Sequence, residues 1–141
     1  MVTGVDVVDA ARAYLGSTWQ HQARFRGNPK SKSIIDCLGL VALTCEDCGL
    51  VVPSRTDYSR QPHPDFIRTV ESCCTPTDEL VPGVILTFRI RKLPQHIAIA
   101  TDKGIIHSLV DDVAKELAFD EWWKERCTGM YKINGVNYDG K

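Results

Sequence analysis

A chain of 141 residues with 43% hydrophobic and 25% charged side chains fits one core, so residues 1–141 read as a single domain that is neither disordered nor fibrous. Seventeen basic against eighteen acidic residues leave a formal charge of −1, which excludes a global field for nucleic acid or for an anionic membrane surface. No apolar run approaches the roughly 18 residues that span a bilayer, and Asp6 and Asp9 interrupt the stretch MVTGVDVVDAAR where a secretory signal would need an apolar run.

The first predicted element is a helix over Asp6 to Leu15, with Val7, Val8, Ala11, Tyr14 and Leu15 at helical spacing and Gly16 as its stop. Residues 17–35 have no period and read as a long functional loop. Arg12, Arg24, Arg26, Lys30 and Lys32 make this part of the chain basic, as in a solvated face or a site that draws in an anion. Cys37 to Cys48 is apolar almost all round, with Asp36 as N-cap and Gly49 as stop, which predicts a buried central helix.

A short surface helix follows, marked by Phe66, Ile67 and Val70 with Pro64 in its first turn. Then the period changes to two. Val84, Leu86, Phe88 and Ile90 alternate with Thr87, Arg89 and Arg91 as in a half-buried strand. His96 to Thr101 and Ile105 to Leu109 make a hairpin around Asp102, Lys103 and Gly104, and Ala114 to Phe119 adds a further strand. Asp120 caps a helix carrying Trp122 and Trp123, and Met130 to Ile133 forms a last strand before a polar tail. Helices first and antiparallel strands second predict an α+β fold.

Cys37 opens the central helix, where free backbone N–H groups and the helix dipole favour a thiolate. A nucleophilic thiol needs an imidazole to take its proton and later protonate the leaving group. Of the four His, His96 and His107 lie on the two strands of one hairpin. An odd pairing sum puts them on one face as diagonal neighbours, and an even sum separates them, so register decides. A Cys opening a helix, followed by two His in a hairpin, has the chain order of papain-like sites, in which a third group orients the imidazole.

The strings Asp36-Cys37-Leu38-Gly39-Leu40-Val41 and His96-Ile97-Ala98-Ile99 resemble the nucleophile and general-base motifs of the NlpC/P60 cysteine peptidases. Ile105-Ile106-His107-Ser108 is similar to the segment bearing their third polar residue, and Gly16-Ser17-Thr18-Trp19 to the approach to their site. His21, Gln22, Ala23, Arg26 and Gly27 resemble the branch found in phage tail and gene transfer agent clusters. The resemblance implies a papain-like NlpC/P60 fold whose central helix, bearing the Cys, packs on an antiparallel sheet. It implies hydrolysis of peptidoglycan stem peptides between γ-D-glutamate and a diamino acid, by Cys37 as nucleophile, His96 as base and His107 as orienter, with no cofactor and no metal. Asp36 and the Trp19 position would contact the free amine of the stem peptide. Trp19 stands where relatives carry a Tyr, with His21 as the substitute polar donor, and Val84 stands where many carry an Asp.

Two other readings start from the thiols. The same site performs acyl transfer if an amine replaces water, and Cys45, Cys48, Cys73, Cys74 and His63 would supply zinc ligands for an interaction module. Core packing explains Cys45 and Cys48 more simply, since they sit inside an apolar helix. With six Cys and no export signal, mostly reduced thiols are expected. A wall hydrolase of this kind would be made in the cytoplasm and reach the wall through a phage-like particle or lysis, with phage-like tail components as partners.

Overall fold

The computed structural model describes residues 1–51, 64–90 and 93–139. Helix α1 spans Gly4–Arg12. It starts two residues ahead of the expected position because Thr3 and Asp6 cap each other: Asp6 N–H donates to Thr3 Oγ1 and Thr3 N–H to Asp6 Oδ2. It also ends earlier, and residues 13–16 continue as turns that close at Gly16, with φ +85°.

The stretch 17–35 is not irregular throughout. It holds three two-residue strands, β1 (Thr18–Trp19), β2 (Arg24–Phe25) and β3 (Ile34–Ile35), in the order β1-β3-β2. Its basic character is partly neutralised rather than offered to an anion. Arg26 pairs with Glu46 and Asp47, while Arg12 pairs with Asp102 and Glu116. Tyr14 donates to the same Asp47 at 2.5 Å, so the loop is fastened to the far end of the central helix.

That helix, α2, spans Cys37–Asp47, and every residue from Leu38 to Cys45 is buried. Asp36 caps it, and Gly49 at φ +71° follows its end. Helix α3 spans Pro64–Glu71; its Val70 is buried, and the Phe66 side chain lies outside the described residues. The strands that follow are β4 (Cys74–Pro76), β5 (Ile85–Ile90), β6 (Leu93–Ala100), β7 (Ile105–His107) and β8 (Lys115–Leu117). Helix α4 (Glu121–Arg126) and strand β9 (Cys127–Ile133) close the fold. Strand β4 had no sequence signal, being three residues long with a Pro at the sheet's edge. Strands β6 and β9 start earlier than their apolar cores suggest, whereas β7 and β8 are shorter.

The six-stranded sheet runs β4-β9-β5-β6-β7-β8. Its pairings are antiparallel. One face carries Ile85, Ile97, Ile99 and Ile106 into a core shared with Val7 and Ala11 of α1 and with Leu38 and Val41 of α2. The other carries Val84, Leu86, Phe88, Ala98, Ala100 and Ile105 into a second core with Trp123 of α4. Strand β5 is therefore buried on both faces as far as Phe88, not half-buried, and Thr87 is buried with the rest. Arg89 is exposed, and Arg91 lies outside the described residues. The polar tail also folds back: Tyr138 donates to the Gly83 carbonyl and accepts from Ile133 N–H, each at 2.9 Å.

Candidate active site

The β6–β7 register pairs Ile99 with Ile106 and Ala100 with Ile105. This is the odd pairing sum, so His96 and His107 share one face of the sheet as diagonal neighbours. The turn that sets it is tied by Thr101, whose Oγ1 accepts from the N–H groups of Lys103 and Gly104. Gly104 admits no side chain, because a Cβ there would stand 1.9 Å from the Leu117 carbonyl oxygen. His96 Nε2 and His107 Nδ1 are 2.9 Å apart, a hydrogen bond between two buried imidazoles. Burial pulls both pKa values down, His96 to about 3 with help from His107, and His107 to about 4 against the pull of Asp112.

Cys37 is half-buried at the first turn of α2. The amide N–H groups of Ile97, Leu38 and Cys37 itself are turned toward its sulfur, which places the thiol beside the residue that follows His96. No hydrogen bond joins the thiol to His96 in this state. The helix start does not produce a thiolate here: burial first, and the neighbouring Asp36 carboxylate second, push the Cys37 thiol well above its usual value and outweigh the amides. At rest the thiol and both imidazoles are neutral, and the link between them is the Ile97 amide, next in sequence to His96, turned toward the sulfur.

Several contacts fix where α2 begins. Asp36 is 3% exposed; its Oδ1 accepts from Gly39 N–H and its Oδ2 from Gln22 N–H, both at 2.7 Å. Its carboxylate is thus already committed to two amides, one from the helix and one from the loop. Gly39 leaves the room this requires, as the loop backbone at Ala23 crosses the first turn of α2. Ser108, buried next to His107, donates to the Ile35 carbonyl at 3.2 Å and ties the histidine strand to the lead-in of α2. Trp19 and His21 are half-buried with ring centroids 6.5 Å apart. Trp19 also borders a cavity of about 310 Å³ with Thr18, Asp111, Asp112 and Val113.

Of the remaining thiols, Cys45, Cys73 and Cys74 are buried in the first core, Cys48 packs against it as Cys37 does, and Cys127 packs against the second core. Among the described residues no group of three or more His, Cys, Asp or Glu is arranged to hold a metal ion; His63 lies outside those residues. No described helix is long and apolar enough to cross a membrane.

No family model and no curated protein matches the chain by sequence. Solved structures do match it. The NlpC/p60 domain of the peptidoglycan hydrolase SagA superposes with a TM-score of 0.64 at 17% identity, over 94% of this chain and 100% of that domain. NlpC1 and NlpC2 of Trichomonas vaginalis give TM-scores of 0.60 and 0.65 at 17% and 13% identity, each over 92% of this chain. The chain has the NlpC/P60 fold. It spans 44% and 46% of the two Trichomonas chains.

Within this NlpC/P60 architecture three residues at the site had no assigned place in the sequence reading. Gly39 appeared there only as part of a motif, Ser108 only as a neighbour of His107, and Trp123 only as part of a helix. The Gly39 signal was available, since a Gly inside an otherwise apolar helix costs stability unless something approaches it closely. The contacts of Ser108 and Trp123 are tertiary and leave no local mark.

Proposed function

We propose that the chain is a cysteine peptidase that hydrolyses peptidoglycan stem peptides between γ-D-glutamate and a diamino acid. Cys37 would be its nucleophile, His96 its general base and acid, and His107 the residue that orients His96. The observation that carries this reading is the buried His96–His107 hydrogen bond, 2.9 Å long, on a strand whose next residue, Ile97, turns its amide toward the Cys37 sulfur. The NlpC/P60 fold supports the substrate class, SagA being a peptidoglycan hydrolase.

His107 engages Nε2 of His96, which leaves Nδ1 as the nitrogen that takes the thiol proton. In that role His96 carries its proton on Nε2 and donates it to His107 Nδ1, so His107 holds its own proton on Nε2. With thiol and imidazole both neutral at rest, proton transfer accompanies attack rather than preceding it. The sulfur bonds to the substrate carbonyl carbon as its proton passes to His96, and the Cys37 amide N–H faces the oxyanion. Collapse breaks the C–N bond, and the departing amine takes the proton from His96. Water then attacks the thioester, gives a proton to His96 and releases the carboxylate, and the thiol recovers that proton.

Asp36 would place its buried negative charge near the substrate amine through its remaining lone pairs, with Trp19 and His21 as the adjoining wall. Delivery by a phage-like particle, with tail components as partners, or release by lysis would bring a protein made in the cytoplasm to the wall. Digestion of purified peptidoglycan, with new ends identified by mass spectrometry, tests the assignment. The expected product is a new amine on the diamino acid, absent with Cys37→Ala. Intact muropeptides after prolonged incubation with active-site-reduced protein would overturn it.

A further inference from the structure

Helix α4 has no part in the chemistry above, yet it lays one side chain on both imidazoles. Trp123 is 7% exposed. Its ring centroid lies 4.9 Å from that of His107 at an interplanar angle of 80°, and 6.1 Å from that of His96 at 34°. Phe88 supports this arrangement from β5, 5.1 Å from Trp123 and 6.2 Å from His96. The indole is itself held in place. Trp122 packs edge to face against it at 4.8 Å, and the backbone N–H of Trp123 donates to the N-cap Asp120 Oδ1 at 3.2 Å, which fixes the start of α4. Trp122 in turn lies under the Arg126 guanidinium, 3.9 Å from the ring centroid.

Two imidazoles joined by a single hydrogen bond have a soft torsion at each ring, and a modest rotation of either breaks the bond. Water reaching the pair would compete for the same nitrogens and allow either tautomer. Only one tautomer of each ring suits the base role. We propose that Trp123 is a positioning residue: its indole clamps both imidazoles in the geometry of their mutual hydrogen bond and keeps water from it. The charged groups acting on the pair from other elements do not supply this restraint. Asp112 and Lys115 bear on His107 with opposite signs, while Asp36 lies at the start of α2 with Cys37. On α4 itself Glu121 and Lys124 are exposed and pair with each other.

The inference deepens the peptidase reading and rests on it only for the effect on turnover. Long-range proton–nitrogen NMR of the ¹⁵N-histidine protein reads tautomer and titration of His96 and His107 without any substrate. Expected for the unaltered protein are one tautomer per ring, titration well below pH 6.5, and a slowly exchanging shared N–H. Trp123→Leu, which keeps an apolar filler but no ring face, should give mixed tautomers, titration nearer 6.5, and a fall in kcat of tenfold or more with KM within twofold. Trp123→Phe should restore the single tautomers. A folded Leu variant with unchanged tautomers and titration would make Trp123 an ordinary core residue. Should that variant not fold, fast water exchange of the shared N–H in the unaltered protein would overturn the proposal equally. Locked imidazoles in a protein that leaves peptidoglycan intact would sink the peptidase reading alone.

Discussion

The carbonyl oxygen of Ala23 occupies the space beside Gly39 that any side chain would need; a Cβ on Gly39 would stand 2.2 Å from it. Both partners of this contact are backbone, so neither gives way by changing rotamer. Gly39→Ala should lift residues 20–23 from α2 and weaken the Gln22–Asp36 hydrogen bond. The expected loss is roughly 1–3 kcal/mol of stability, as for other overpacked positions. Urea unfolding read alongside activity checks it, and an unaltered midpoint would show that the loop moves freely.

Replacing the three residues of the catalytic reading separates their roles. Cys37→Ala should abolish hydrolysis and leave the thermal midpoint nearly unchanged, since a half-buried thiol gives way to a methyl group. His96→Ala should lower kcat by about 10²–10⁴, the usual contribution of a general base. His107→Ala should cost less, because it acts through His96. Equal losses for both His variants would contradict the order of roles.

Acidification should destabilise the fold well before the carboxylates titrate. A neutral imidazole whose folded pKa is depressed leaves the unfolded chain binding more protons between that value and 6.5, so stability rises with pH across the window. Falling from pH 6.5 to about 4.5 therefore removes stability, by up to about 1.4 kcal/mol per pH unit for each of His96 and His107. Asp6, Asp102, Asp112 and Glu116 are held below their usual values, so their contribution is lost only at lower pH. Urea midpoints at half-unit steps read the slope. A flat profile from pH 6.5 to 4.5 would mean that the imidazoles are wet.

The raised Cys37 thiol makes a kinetic prediction of the opposite kind to that of a preformed ion pair. Alkylation by iodoacetamide follows the thiolate, so the rate at Cys37 in the free protein should be low at pH 7 and climb without a plateau through pH 9. Mass spectrometry of the Cys37 peptide over time measures it. A plateau below pH 7 would establish a resting thiolate and refute the concerted proton transfer.

Capping chemistry made α2 readable from the sequence: Asp36, an apolar run and Gly49 define both its ends within a residue. The face shared by His96 and His107 was a matter of parity alone. It depends on the turn at Thr101 to Gly104, whose geometry follows from the Thr101 side chain and from the approach of Leu117. Strands β1, β2 and β3 escaped because two residues cannot display a period. The thiol was misjudged because the helix start is a local feature, whereas the burial that opposes it comes from the sheet. Trp123 reaches the imidazoles through the packing of α4 on β5, which no spacing within EWWKER encodes.

Strand β9, the last of the described strands, lies inside the sheet between β4 and β5 rather than at an edge. Translation produces Cys37 early and Ile133 late, so a growing polypeptide carries the thiol long before β5 has both of its neighbours. Until β9 inserts, two strand edges stand open and the scaffold behind His96 is incomplete. An unfinished chain thus holds the Cys37 thiol before the sheet around the two histidines is complete, and on the proposed reading it gains an assembled site only after residue 133 has been added.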